Sequence, residues 1–193
     1  MVPRFPVVLA SASPRRRELL AQLVPEFEVL PADLDEDALT VSDPWETAKR
    51  LAEAKAMAIA ESRSESLIIG SDTVVALQTV DSYQQLSKPR DRQDAIAILG
   101  ALSGKVHLVI TGLALVWPGG KEVGCGTTEV SFRELSLAEI EDYVDTGEPM
   151  DKAGGYAIQG GAAGFVQGTD GSISNVIGLP MELLEEMLEQ TGR

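Results

Sequence analysis

Arg15, Arg16 and Arg17 follow directly on Ser11-Ala12-Ser13-Pro14, and those residue types in that order suit the binding of a polyanion. Ser13 has the chemistry of a helix N-cap, and Pro14 fits the first helical position, where no N–H is required. The arginines then fall in the first turn of a helix, where the macrodipole disfavours cations. Backbone N–H groups at that end attract phosphate, and guanidinium groups pair with its oxygens two at a time. Arg15 and Arg16 therefore make sense if phosphate arrives beside them. Ser11, on the turn, offers a hydroxyl and an N–H to the same ligand. The plainer alternative is that Glu18, Asp33 or another local carboxylate neutralises the arginines and that Ser11 only makes the turn.

Three further positions break local rules. Lys55 lies beside the apolar stripe of a helix rather than opposite it, so it either snorkels to water or presents a cation to a ligand. Asp72 stands between Leu67-Ile68-Ile69-Gly70 and Val74-Val75, inside or at the end of a buried strand. An unpaired buried carboxylate is costly, so such an acid has a cation, a metal or a catalytic task. Asp33, Asp35, Glu36 and Asp37 form an oxygen-rich cluster of the kind that holds Mg²⁺ or Mn²⁺ together with water and substrate phosphates; alone it also reads as a solvated loop. The sequence has no phosphate-binding G-x-x-x-x-G-K-[ST] loop, no G-x-S-x-G and no H-E-x-x-H.

The elements that must position these residues follow from periodicity and caps. Val7–Ala10 reads as a buried strand leading through a tight turn into a helix over Arg15–Leu23. Asp43-Pro44 starts a second helix to about Ser62, with Trp45, Ala48, Ala52, Ala56 and Ile59 as its apolar stripe. Leu67–Val75 is a second buried strand. Lys88-Pro89-Arg90 is a loop ahead of a helix over 91–101. Residues 107–116 and 122–132 are long β runs joined by a hairpin turn at Trp117–Lys121. Ser136 and Glu139 form a capping-box pattern for a helix stopped by Gly147. After a glycine-rich stretch, 172–177 reads as a short strand and 180–190 as a final helix. The alternation predicts an α/β domain with a mixed twisted sheet containing a long antiparallel hairpin, and the whole chain, 1–193, is read as a single domain.

Composition narrows the function. Sixteen Lys and Arg against thirty Asp and Glu give a net charge of −14, unsuited to nucleic acid or anionic membrane. The basic residues are nonetheless concentrated: the first 17 residues hold four arginines and no acid, and the next 31 hold nine acids and no base. That layout is a local anion site on a chain that otherwise repels anions. A single cysteine, Cys125, and a single histidine, His107, exclude an intrachain disulfide and any site needing two of either. They point to a reducing, cytoplasmic setting, with Cys125 a packing thiol and His107 structural. No run approaches the roughly 20 apolar residues of a membrane span.

Taken together, the motifs resemble those of the Maf family of nucleoside triphosphate pyrophosphatases. The likeness rests on Leu9–Leu20, Asp33-Leu34-Asp35-Glu36, Ala54-Lys55-Ala56, Gly70–Val75 and Lys88-Pro89-Arg90-Asp91. It continues through His107–Gly112, Phe132-Arg133, Gly147-Glu148-Pro149, Asp151–Tyr156, Ile158-Gln159-Gly160 and Gly178-Leu179-Pro180. It runs from about residue 7 to 187. The resemblance implies an inosine-triphosphatase-like fold with two lobes around a cleft, in cytoplasmic and often homodimeric proteins. It also implies cleavage of a nucleotide between its α- and β-phosphates with a divalent cation. Carried over by position, Asp72 is the proton acceptor, Ser11, Arg15, Arg16, Lys55 and Lys88 hold phosphates, and Asp35, Glu36 and Asp72 hold the metal. Arg15, Thr73 and Gln159 match specificity positions of the branch preferring dTTP and UTP. The rivals are a pyrophosphatase for 7-methyl-GTP or ITP/XTP, and a nucleotide-sensing division regulator with little turnover.

Overall fold

A computed structural model describes residues 4–191. Among them, in chain order, are β1 (Val7–Leu9), α1 (Pro14–Leu23), β2 (Glu28–Val29), α2 (Pro44–Ala60), β3 (Leu67–Gln78), β4 (Tyr83–Leu86) and α3 (Arg92–Leu102). There follow β5 (Val106–Trp117), β6 (Gly120–Phe132), α4 (Leu137–Val144), β7 (Val166–Asp170), α5 (Ile173–Ile177) and α6 (Met181–Thr191). The sheet runs β2-β1-β3-β5-β6-β7, with β4 also on β3. It is mixed: β1 is parallel to β2 and β3, whereas β4 is antiparallel to β3 and β7 to β6. The two-residue link Pro118-Gly119 between β5 and β6 can join only antiparallel neighbours.

The helix starts are where their caps put them. Ser13 Oγ accepts from the Arg16 N–H, Asp43 from Trp45 and Glu46, and Ser136 and Glu139 complete a reciprocal capping box. One expected element differs. Residues 172–177, read as a strand, contain the short helix α5, and the strand precedes it as β7. Ser172 accepts from the Asn175 N–H through Oγ and from Val176 through its carbonyl, so local polar groups close a helical turn despite the β-branched residues.

The chain divides into two compact units. The first comprises the residues up to Thr73, Thr111–Gly126 and Gly178 onward; the second comprises Val74–Ile110 and Thr127–Ile177. In the first unit both faces of the central strands are covered, which is why Val7–Leu9 and Leu67–Ile69 are apolar at successive positions instead of alternating. Val7, Leu9, Leu67, Ile69, Leu113 and Leu115 pack with Leu20 of α1 and Leu184 and Leu188 of α6. Val8, Ala10, Ile68 and Ala114 face Ala52, Ala56 and Ile59 of α2. That helix lies unusually close: a Cβ at Gly70 would stand 2.2 Å from the Ala52 carbonyl oxygen, and one at Gly112 would stand 2.0 Å from that of Ala48. The alanine stripe and the two glycines together remove the side chains that would hold helix and sheet apart.

The second unit has its own core, built on Val75, Leu99, Val109, Val130, Phe132, Tyr143, Tyr156 and Phe165. His107 is buried in it, its Nε2 2.7 Å from the Tyr156 hydroxyl and its ring edge-on to Phe132. Burial lowers the imidazole from 6.5 to about 4, so it is neutral at pH 7 and structural, as its place in the sequence implies. Cys125, in the first unit, is half-buried, and burial pushes its thiol up.

Candidate active site

The site of the first unit begins where β1 stops. Leu9 pairs with Ile69, so β3 runs on past the carboxyl end of β1, the place where parallel α/β sheets receive ligands. Four residues there, Gly70-Ser71-Asp72-Thr73, alternate between the two faces as strand residues must. Ser71 and Thr73 turn toward the α1 side, and Asp72 toward α2.

On the α2 side, Asp72 and Lys55 are each 12% exposed at the side chain and meet at 2.5 Å, Lys55 Nζ to Asp72 Oδ1. Glu36 reaches the same ammonium at 2.7 Å. The close approach of α2 at Gly70 brings Lys55 this near, so the lysine is neither snorkelling nor alone. The second oxygen of Asp72 takes no hydrogen bond among the described residues.

On the α1 side, Arg16 is held by neutral oxygens only. Its Nε donates to the Gly178 carbonyl at 2.7 Å, Nη1 to Ser11 Oγ at 3.2 Å, and Nη2 to Thr73 Oγ1 at 3.0 Å. No carboxylate pairs with it among the described residues, which removes the local-neutralisation alternative. Three of five N–H donors are used, leaving two for a ligand. Burial lowers the guanidinium below its ordinary value, the charge of Asp72 being the largest opposing influence, but an arginine stays charged at neutral pH. Ser11 is buried and accepts from Ser13 N–H and Arg16, so its own hydroxyl hydrogen remains available. The arrangement is a fixed positive charge at a helix N-terminus, hydrogen-bonded only to neutral oxygens and acted on by the charges of Asp72 and Glu36.

Ser11, Arg16, Glu36, Lys55, Asp72 and Thr73 are thus assembled in the first unit. Arg15 is half-exposed on α1 without an ion pair among the described residues. Asp35 is exposed and turned to accept from the Ala38 N–H at 3.4 Å, just ahead of a short 3₁₀ turn over Asp37–Leu39. Lys88 and Gln159 belong to the second unit, both exposed on loops. The Gln159 amide makes no hydrogen bond among the described residues, so it is not spent on loop backbone. Tyr156, three residues before Gln159, is buried in the core of the second unit. Three participants lie within the motifs quoted above but without a role assigned there. Ser71 directs its hydroxyl to the carbonyls of Gly112 and Gly178 at 3.0 and 2.9 Å. Thr111 pairs with Thr73 at 3.0 Å. Gly178, 162 residues from Arg16 in sequence, supplies the carbonyl that Arg16 and Ser71 share.

Among the described residues no group of three His, Cys, Asp or Glu could by itself hold a metal ion. Glu36 and Asp72 nevertheless already converge on one positive centre, the Lys55 ammonium. A donor pair of that kind fits a cation that takes its remaining positions from water and substrate phosphates, as Mg²⁺ does.

Sheet order and helices define a mixed α/β protein with the Ham1 fold. The structure is similar to that of the Staphylococcus aureus Ham1 protein (TM-score 0.54, 14% identity, covering 95% of this chain and 98% of that one). It is also similar to a HAM1 protein from Coxiella burnetii (TM-score 0.52, 18% identity, 96% and 99%). Residues 6–191 match the family described as Maf-like protein, and the chain belongs to that family. Its relatives include a dTTP/UTP pyrophosphatase of Desulforamulus reducens, 46% identical over 189 residues and 97% of each chain. Another is the dTTP/UTP pyrophosphatase of Thermococcus kodakarensis, 42% identical over 184 residues and 95% of each. Among the described residues no helix is long and apolar enough to cross a membrane.

Proposed function

We propose that this chain hydrolyses dTTP and UTP to the monophosphate and pyrophosphate, as one functional domain acting in the cytoplasm, as a homodimer and without nucleic acid. The observation that carries the reading is the pairing of Arg16, charged yet held only by neutral oxygens, with an adjacent carboxylate, Asp72, that keeps one oxygen free of hydrogen bonds. The names of its relatives support the substrate.

Ser11, Arg15, Arg16, Lys55 and Lys88 bind the phosphates. Arg16 does so at little reorganisation, because its guanidinium is already fixed and two donors remain. Mg²⁺ or Mn²⁺ would be held by Glu36 and Asp72, joined by Asp35 on release from the Ala38 N–H, and would supply charge neutralisation at the phosphates and a more acidic water. Asp72 accepts the proton of the attacking water as general base. The new bond forms between that oxygen and the α-phosphorus, the bond from the α-phosphorus to the bridging oxygen breaks, and pyrophosphate leaves with that oxygen. Arg15 and Thr73 shape the choice of nucleotide, and the Gln159 amide, which both donates and accepts, meets the alternating carbonyl and N–H edge of thymine or uracil.

Pyrophosphate release from dTTP, UTP, 7-methyl-GTP, ITP and CTP, each with Mg²⁺, Mn²⁺ or EDTA, tests the reading. Release from dTTP and UTP, abolished by EDTA and restored by metal, is expected. Turnover confined to 7-methyl-GTP or ITP would keep the chemistry and remove the role of Gln159. Nucleotide binding without release from any of the five would make the chain a sensor.

A further inference from the structure

Glu148 lies in the second unit, outside the machinery described above, at the start of a short 3₁₀ turn over Glu148–Asp151. Both of its carboxylate oxygens are engaged. Oε1 accepts from the Tyr143 hydroxyl at 3.1 Å, and Oε2 accepts from the backbone N–H of Gly161 at 3.0 Å. Its own backbone is held too: the carbonyl accepts from Lys152 Nζ at 2.6 Å, and the N–H donates to Thr146 Oγ1 at 3.2 Å. Gly160 sits directly against the carboxylate, so closely that a Cβ there would stand 1.8 Å from Oε1. A charged acceptor is thereby locked against a Gly-Gly backbone with no room to slide.

That backbone continues the turn carrying Gln159. The Gly160 N–H donates to the Ala157 carbonyl at 3.1 Å, which leaves Gln159 exposed at the tip of the turn. The residue that enters the turn, Tyr156, is buried and held through its hydroxyl by His107. One side of the turn is therefore anchored in the core through Tyr156; on the other, Glu148 accepts the Gly161 N–H, beside the Tyr143 ring that packs on Gly161 and the buried Ala162 that follows.

We infer that Glu148 is a positioning residue for nucleotide recognition, its carboxylate fixing the Ala157–Gly161 turn so that the Gln159 amide meets the base in one orientation. This rests on the proposed role of Gln159. The reason for a carboxylate is physical: hydrogen bonds from backbone N–H to a charged acceptor are about twice as strong as neutral ones, and Gly160 and Gly161 have no side chains of their own with which to fix the turn.

The experiment compares wild type, Glu148→Ala, Gln159→Ala and the double variant by kcat and KM for dTTP and UTP, together with hydrogen exchange at the Gly161 amide. Glu148→Ala should raise KM about tenfold with kcat nearly unchanged, the size of one lost hydrogen bond to the base. The double variant should be no worse than Gln159→Ala, because Glu148 acts only through it. Gly161 should exchange faster in Glu148→Ala. If the losses multiply in the double variant, if kcat falls for every nucleotide, or if Gly161 protection is unchanged, the proposal is overturned. Should the alanine variant fail to fold, Glu148→Gln takes its place. It preserves volume but can accept only through one oxygen, and a few-fold rise in KM is then expected. A wild type that releases no pyrophosphate from dTTP or UTP would overturn the proposed function, while the Gly161 amide would still decide the role of Glu148.

Discussion

Replacing Asp72 by Asn separates charge from shape at the centre of the site. Asparagine keeps the volume and an oxygen that can still accept from Lys55 Nζ, now 2.5 Å from Oδ1, but it cannot take a proton from water. Removing one partner of a well-buried ion pair ordinarily costs about 3–5 kcal/mol. The cost here is smaller, because Glu36, 2.7 Å from the same ammonium, keeps Lys55 neutralised and the hydrogen bond survives. We expect a stability loss of about 1 kcal/mol, seen as a drop in Tm of about 2–4 °C for a chain of this size. Turnover should suffer far more. A positioned general base contributes roughly 10²- to 10⁴-fold, so kcat for dTTP should fall about a thousandfold, equivalent to about 4 kcal/mol in the barrier. Nucleotide affinity should hold or increase, since a negative charge is removed from beside Arg16 and Lys55. Single-turnover pyrophosphate release, a fluorescent-nucleotide titration and a thermal melt, run on the same preparation, read all three quantities. A variant that retains more than about a tenth of wild-type kcat would refute the general-base assignment. A variant that loses binding and turnover in parallel would show that the carboxylate serves to organise the cations.

Two further expectations follow from the geometry. Gly178 has a φ of +119°, and a Cβ there would lie 3.2 Å from Thr73 Oγ1 and 3.3 Å from Arg16 Nε. Gly178→Ala should therefore cost about 1–3 kcal/mol in urea unfolding and raise KM for dTTP, and a KM equal to wild type would show that the guanidinium keeps its place despite the added methyl group. His107 ordinarily titrates at 6.5, and burial lowers it to about 4 in the folded protein. Between those values the unfolded chain binds the proton and the folded chain does not, so stability falls as pH drops through the window, by up to about 3 kcal/mol. Urea midpoints of wild type and His107→Gln at about pH 7.5 and about pH 4.5 check this; an equal loss in both proteins would assign the pH dependence to other groups.

Much of the fold was legible because it depends on neighbours a few residues apart. Ser13-Pro14, Asp43-Pro44 and the Ser136/Glu139 box each place a helix start, since a cap is a contact within one turn. The long β5–β6 hairpin follows from β-rich runs on either side of Pro118-Gly119. The strand expected over 172–177 failed for the same kind of reason, read in the wrong balance: Ile173, Val176 and Ile177 favour a strand, but the serine and asparagine groups among them satisfy a helical turn. The two-residue β2 and the four-residue β4 carry too little pattern to be seen.

The sequence by itself determined which residues were out of place: arginines in a first helical turn, a lysine beside an apolar stripe, an aspartate in a buried strand. It also placed Asp72 inside or at the end of a buried strand, where the strand's side-chain period of two then separates it from Ser71 and Thr73. Only the tertiary structure decided what each of them meets. Lys55 reaches both Asp72 and Glu36 because Gly70 and Gly112 admit α2 so closely, and a helical wheel contains no distance to a sheet. Arg16 is fixed by the carbonyl of Gly178, and a backbone oxygen brought from the far end of the chain leaves no trace in composition or spacing. Capping and periodicity are short-range and repeat along the chain; partners brought together by topology follow from the closing of the sheet and the depth to which a helix can settle on it.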